Sequence, residues 1–297
     1  MGSESGTTEG TIKDQLQTLF AGSGLTAKSN MIRLIERAMP VSSNDTVNEV
    51  NIIHSMLRNV GTGFSEAPPA TKRVPPMYKV YDHALQIPLP TEFISMGYSL
   101  EQVIRARSAR RDYIDRTISL DLLSTFLHWS CGIRRYGQAY NSGAFPIRFT
   151  PSGGGLQPWE VYVVINSVEQ LGQGLYHYRA PSHALELLQE GQMRGRMVEL
   201  GFGVEFLHYA SFICIVTCVP GRFYWKYGTR GYRIAHIDVG ILVQTMWYVA
   251  TALKLRSLPV SGFSDDGVDE FLALDDQREF SMILFVVGAR PDTVVIQ

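Results

Sequence analysis

Nine consecutive residues, Trp225-Lys226-Tyr227-Gly228-Thr229-Arg230-Gly231-Tyr232-Arg233, gather an amine, two phenols and two guanidiniums between an apolar, strand-like run and a long apolar helix. Lys226 beside Tyr227 is a pair that can take up a proton, and these two are the candidate catalytic residues. A partly desolvated lysine near other cations can have its pKa drawn toward neutrality; Arg230 and Arg233 would supply that neighbourhood or bind phosphate instead. Upstream, Arg107-Ser108-Ala109-Arg110-Arg111 combines forked guanidiniums with a hydroxyl, the chemistry of phosphate recognition. Pro151-Ser152-Gly153-Gly154-Gly155 removes side chains where backbone N–H groups would have to approach a flat ligand. Taken alone, each stretch has a plainer reading: a packed aromatic loop, a basic helix end, a flexible turn. Together they point to a site for a phosphorylated aromatic cofactor.

Other chemistries lack their signatures. No G-x-G-x-x-G spacing and no Lys-Ser/Thr pair follows the glycines, so a Rossmann or P-loop site is not expected. His177, His183 and His208 stand in no triad-like context, and His236 reads as a core or interface histidine. Asp238, on the apolar helix, suits a satisfied structural contact as well as a cofactor contact. Cys131, Cys214 and Cys218 are sparse and odd in number, which fits buried thiols in a reducing, cytoplasmic setting; no metal site is expected. With 27 basic and 28 acidic residues the net charge is −1, too even for nucleic acid as the main partner. The five arginines at 105, 107, 110, 111 and 116 favour a local anion site instead. The polar start, Met1 to Gly6, has no apolar run of a secretory signal. The longest apolar stretch, Ile234 to Leu253, carries His236, Asp238 and Gln244, so a buried helix rather than a membrane span is expected.

These residues need elements to hold them. At 297 residues and 45% hydrophobic content the chain can build one large domain with a small appendage. Residues 1–10 read as a disordered tail, 11–60 as a helical appendage, 61–76 as a Gly/Pro linker, and 77–297 as the main domain. Ser99-Leu100-Glu101-Gln102 is a capping box that opens a helix toward Arg107. A second helix runs from Ser119 to Cys131 and stops at Gly132, and a third covers 232–255. Apolar runs at 161–165, 174–179, 185–188, 212–219 and 282–287 read as strands. Without strict βαβ alternation, the class is α+β with a mainly antiparallel sheet.

In this order the motifs resemble a known family. Arg-Ser-x-Arg from Arg107 comes first, then Pro-Ser-Gly-Gly-x-Leu-x-Pro-x-Glu-Val-Tyr from Pro151. Gly-Leu-Tyr-His-Tyr follows from Gly174, and Lys-Tyr-Gly-x-Arg-Gly-Tyr-Arg from Lys226. The likeness is to the nitroreductase-like flavin family, and within it to the SagB-type dehydrogenases that oxidise azolines in thiazole- and oxazole-containing peptides. Gly262 to Asp266, with Leu274-Asp275, fits the same pattern. The resemblance implies a three-layer α+β sandwich and an intertwined homodimer with FMN at the subunit interface. Arg107, Ser108 and Arg110 would hold the phosphate, with Arg111 as the competing register, and Gly288 and Arg290 would add to it. Pro151, Ser152, Gly153 and Gly154 would line the flavin, Gln244 would lie near the ring, and Lys226 and Tyr227 near the substrate. Gln157 stands where many relatives have an aromatic residue, Thr245 replaces an asparagine, and Asp238 and Ile241 stand where Glu and His are common.

The implied reaction is dehydrogenation of a thiazoline or oxazoline: a base takes the ring α proton, hydride passes to flavin N5, and oxygen reoxidises the flavin. The substrate would be a peptide, a carrier-tethered unit or a small molecule, and other biosynthetic enzymes are expected partners. The rival readings are an NAD(P)H-dependent nitro or quinone reductase and a flavin-free scaffold subunit.

Overall fold

Alternation of apolar side chains along the strands builds two opposed cores on one sheet. The computed structural model describes residues 54, 57, 74–228, 230–275 and 278–290. The expected tail and almost all of the expected appendage and linker lie outside these residues. In chain order the elements are β1 (Leu85–Pro88), α1 (Leu100–Ala106), α2 (Leu120–Cys131), β2 (Ile133–Gln138), β3 (Ala144–Arg148) and β4 (Trp159–Ile165). Then come β5 (Gly174–Arg179), β6 (Ala184–Glu190), α3 (Arg194–Leu200), β7 (Phe212–Cys218) and α4 (Gly221–Tyr227). The series closes with α5 (Arg230–Ala252), β8 (Arg256–Val260), α6 (Asp265–Phe271) and β9 (Phe280–Gly288). Seven strands form one sheet in the order β1-β6-β5-β4-β7-β9-β8. Each neighbouring pair is antiparallel.

Every residue of β4 and β7 is buried, because helices cover both faces. Val161, Val163 and Ile165 pack with Phe126 of α2 and Leu242 and Met246 of α5. Their alternates, Tyr162 and Val164, pack with Met197 and Leu200 of α3 and Val268 of α6. The result is the expected three-layer α+β arrangement. A third, smaller core joins Phe145 of β3, Leu156, Phe223 of α4 and Ala235 of α5, and it lies under the candidate site.

The caps are as read from sequence. Gln102 N donates to Ser99 Oγ (3.2 Å) and Ser99 N to Gln102 Oε1 (2.7 Å), while α2 starts after Ser119 and stops at Gly132. Three expectations differ. Trp225 to Arg233 is not a loop: α4 runs through Tyr227, Gly228 turns the chain at φ 54, and α5 begins at Arg230. The hairpin β2–β3 gave no strand signal, because β2 is largely solvent-exposed and carries Arg134 and Arg135 where a period-two apolar row would be. Of the core-or-interface reading of His236, the core half is overturned: the residue is exposed, with Nδ1 2.8 Å from Tyr232 O. No helix among the described residues is long and apolar enough to cross a membrane.

Candidate functional site

The glycine turn is the focus of the first cluster. Residues 153–155 form one 3₁₀ turn in which Gly154 holds φ 62, the left-handed region that an L side chain adopts only with strain. A Cβ on Gly154 would stand 2.6 Å from Tyr140 Oη, 2.7 Å from Tyr227 Oη and 2.8 Å from Lys226 Nζ. Three polar heads therefore converge on one point of bare backbone. Lys226 Nζ donates to Tyr140 Oη (2.6 Å), and Tyr140 Oη donates to Gly154 O (2.6 Å). The ammonium also lies 4.6 Å above the Tyr140 ring and 5.0 Å above that of Tyr227.

Burial alone would lower the Lys226 pKa, but hydrogen bonds to Tyr140 and Tyr227 outweigh it, and the pKa is raised. This corrects the expectation of a lysine drawn toward neutrality: electron-rich phenol oxygens, not Arg230 or Arg233, are what the amine meets. Lys226 is an ammonium at neutral pH.

The turn is tied down from below. Gly153 N donates to Asp238 Oδ2 of α5 (2.8 Å), Gln157 N to Ser152 Oγ (2.8 Å), and Gly155 N to Ser152 O (2.9 Å). Burial pushes the Asp238 carboxyl up, against the pull of Ser152 and Gly153 N. Asp238 and Ser152 thus anchor the loop. A Cβ on Gly153 would strike Ile234 at 2.8 Å, so glycine is what allows this close packing. Gln157 is buried and accepts from Arg148 Nε (2.9 Å).

Helix α4, which carries Lys226 and Tyr227, is fixed by Arg222, a residue that sequence reasoning missed. Arg222 is 2% exposed. Its Nη2 donates to Glu160 Oε1, Nη1 to Trp159 O (3.1 Å) and Gln157 O (3.3 Å), and Nε to Pro76 O (2.9 Å). Glu160 Oε2 also meets His177 Nε2 (3.2 Å), and His177 Nδ1 meets Glu186 Oε2 (2.7 Å). Burial would raise the Glu160 pKa, but Arg222, His177 and Arg148 hold it well below the usual carboxylate range. Burial would lower that of His177, but its two glutamates hold it up. Two carboxylates flank this histidine, so it is a charged crosslink between strands. A cation just after a strand and ahead of the aromatic run 223–225 was the available signal for Arg222.

The second cluster surrounds a cleft of about 400 Å³, solvent-open space included. Ser108, Arg110 and Arg290 line it, together with Thr251, Arg256 and Ser257. Arg110 Nε donates to Ser108 Oγ (2.9 Å). Arg107 instead lies over the Trp247 ring at 4.4 Å, and the exposed Arg111 is not among the lining residues. Gly288 serves packing: a Cβ there would stand 2.5 Å from the Tyr113 ring. Pro151 is exposed ahead of the turn, and Gln244 is exposed on α5 near Ile237 and Ile241. The thiols Cys131, Cys214 and Cys218 are free and buried, and burial raises the pKa of each.

The two clusters lie toward opposite ends of α5: Asp238 supports the first and Thr251 lines the second. Thirteen residues at 1.5 Å each put them roughly 20 Å apart along the helix.

A protein of Methanocaldococcus jannaschii named as a nitroreductase is 27% identical over 191 residues, 64% of this chain and 91% of its own length. The microcin B17-processing protein of Escherichia coli is 30% identical over 152 residues, and the chain spans little more than half of it, 56%. Among solved structures, a chain of the Escherichia coli microcin synthetase complex with a truncated pro-peptide bound matches in fold. Its TM-score is 0.53 at 24% identity, over 68% of this chain and 77% of that one. The nitroreductase family profile matches residues 104–289, which hold the arginine cluster, the glycine turn and Lys226, and the chain belongs to that family.

Proposed function

We propose that the protein is an FMN-dependent dehydrogenase that oxidises a thiazoline or oxazoline ring to the aromatic azole in peptide natural-product biosynthesis. The observation that carries this reading is the meeting of Lys226 Nζ, Tyr227 Oη and Tyr140 Oη over the side-chain-free backbone of Gly154. The residues present fit the cofactor. The cationic cleft of Ser108, Arg110 and Arg290 suits a phosphate, and Arg107 next to it has a forked donor set. In this reading the turn of Ser152, Gly153 and Gly154, behind Pro151, would line the flavin, with Tyr140, Tyr227 and Lys226 packed against it at Gly154. FMN, when bound, supplies the two-electron acceptor that no side chain here can be.

The two clusters are separated by more than the five-carbon ribityl tail of one FMN reaches, so each site would take its glycine turn and its phosphate cleft from different copies. The exposed Ile237, Ile241 and Gln244 on α5 offer the surface for such a homodimer. Gln244 would then face the ring bound across the interface.

The chain's own groups handle orientation and the proton. In this reading Lys226 Nζ would meet the ring carbon beside the substrate carbonyl, while the phenols keep its proton on. Proton removal by Lys226 therefore needs the neutral amine, and Tyr227 shares the position. The aromatic wall of Tyr140, Trp225 and Tyr227 limits water around the amine. The relative that processes microcin B17 supports a peptide substrate and companion biosynthetic enzymes.

A second reading is NAD(P)H-dependent reduction of nitro groups or quinones, which the Methanocaldococcus relative favours, since it is covered over 91% of its length. One set of measurements separates the readings. The absorbance spectrum, with mass spectrometry of the ligand released on denaturation, should give one FMN per chain. The bound flavin should be bleached by a thiazoline peptide and not rapidly by NAD(P)H. Rapid bleaching by NAD(P)H alone would select the reductase, and a colourless protein without flavin would leave only a scaffold.

A further inference from the structure

Arg256 was not among the residues expected at any site, yet it opens β8 at the floor of the cationic cleft. It is about nine-tenths buried, at 9% exposure. Its one ion pair among the described residues runs from Nη2 to Asp112 Oδ2 (3.0 Å), and that carboxylate is half-exposed at 54%. Its Nε is buried and has no hydrogen-bond partner. A guanidinium this deep, with a single partly solvated counter-ion, retains an uncompensated desolvation cost. Arg110 and Arg290 share the cleft, and none of the lining residues is acidic. Guanidiniums lining one cavity sum to a positive field that favours an entering anion. Thr251 and Ser257 add hydroxyls to the same wall.

We infer that Arg256 is a further phosphate-binding guanidinium, held in place by Asp112, and that it sets a preference for a phosphorylated over an unphosphorylated flavin. This rests on the FMN reading above and assigns a residue and a specificity that the motif order does not. The pairing Arg256↔Gly288 in the sheet also sets Arg256 against the strand end that leads to Arg290. The two cations are thus held in register by backbone rather than by flexible loops. Asp112 is the counter-ion that makes the buried cation tolerable before the anion arrives, at the cost of weakening the field the anion meets.

The test is titration of the flavin-depleted, full-length chain with FMN and with riboflavin, read by flavin fluorescence. Arg256→Gln should weaken FMN by roughly tenfold to a hundredfold, the worth of a charge-assisted contact, and leave riboflavin unchanged. Arg256→Lys, which keeps charge without the fork, should fall between, and it remains informative if the glutamine variant does not fold. Asp112→Asn should bind FMN as tightly as the parent or more so. Equal weakening of FMN and riboflavin by both Arg256 variants, or no change in either, would show a merely structural ion pair and overturn the inference. Failure of the unsubstituted chain to bind either flavin would overturn the cofactor reading, and this inference with it.

Discussion

Arg222→Leu is the perturbation whose cost can be worked most directly from the structure. The substitution removes four hydrogen bonds: one to Glu160 and three to the carbonyls of Pro76, Gln157 and Trp159. It leaves the Glu160 carboxylate at 2% exposure without its main counter-charge. Breaking a buried pair by deleting one partner costs about 3–5 kcal/mol. The lower end applies here, because Lys79 N (2.6 Å) and His177 Nε2 (3.2 Å) still reach Glu160. At roughly 2–4 °C per kcal/mol for a domain of this size, Tm should fall by about 6–12 °C.

The pH dependence gives a second handle on the same variant. The folded-state pKa of Glu160 is depressed, so its contribution is present above the unfolded value near 4.5 and is lost as pH falls through the folded value. The unfolded chains titrate alike at Glu160, so the difference between parent and variant should be full at pH 7 and shrink as pH falls through the folded-state pKa that Glu160 has in the variant. Urea denaturation at pH 7 and pH 4 reads both quantities. Adding Glu160→Gln to Arg222→Leu should recover part of the loss, by removing the stranded charge. A loss under about 1 kcal/mol at pH 7, or one that does not change with pH, would refute the view that this pair holds α4 to the sheet.

Four further outcomes are expected. Lys226→Gln should retain bound FMN while turnover falls roughly 10²–10⁴-fold; unchanged turnover would take Lys226 out of the reaction. With the Lys226 pKa raised, only a small neutral fraction exists at pH 7, so kcat should climb with pH through the alkaline range; a decline there would make the ammonium the working form. Tyr140→Phe removes one acceptor of that ammonium and should lower its pKa, read from the pH dependence of amine labelling or by NMR. Gly154→Ala places a methyl group among three polar heads at positive φ and should cost about 1–2 kcal/mol in backbone strain, with displacement of Lys226, checked by thermal melts and turnover.

Much of the framework was legible because its causes are local. The capping box at Ser99, the stop at Gly132 and the apolar runs of β4, β5 and β7 each act within a few residues, so spacing alone reveals them. The motif order carried the family. The β2–β3 hairpin escaped because most of its β2 side chains face water, and α4 because its aromatic and basic residues mimic a loop.

From sequence alone came the two sets of chemistry, a lysine–tyrosine pair and an arginine–serine cluster, together with most of the sheet and the helix ahead of Arg107, though not α4, which carries the pair. What depended on tertiary structure was which of those groups meet. Tyr140 reaches Lys226 across 86 residues, Glu160 reaches Arg222 across 62, and Arg256 joins Ser108, Arg110 and Arg290 only because β8 pairs with β9. The sign of the Lys226 shift followed from the same cause: a side chain's protonation depends on which partners packing brings within hydrogen-bond reach, and nearest neighbours in sequence do not determine that.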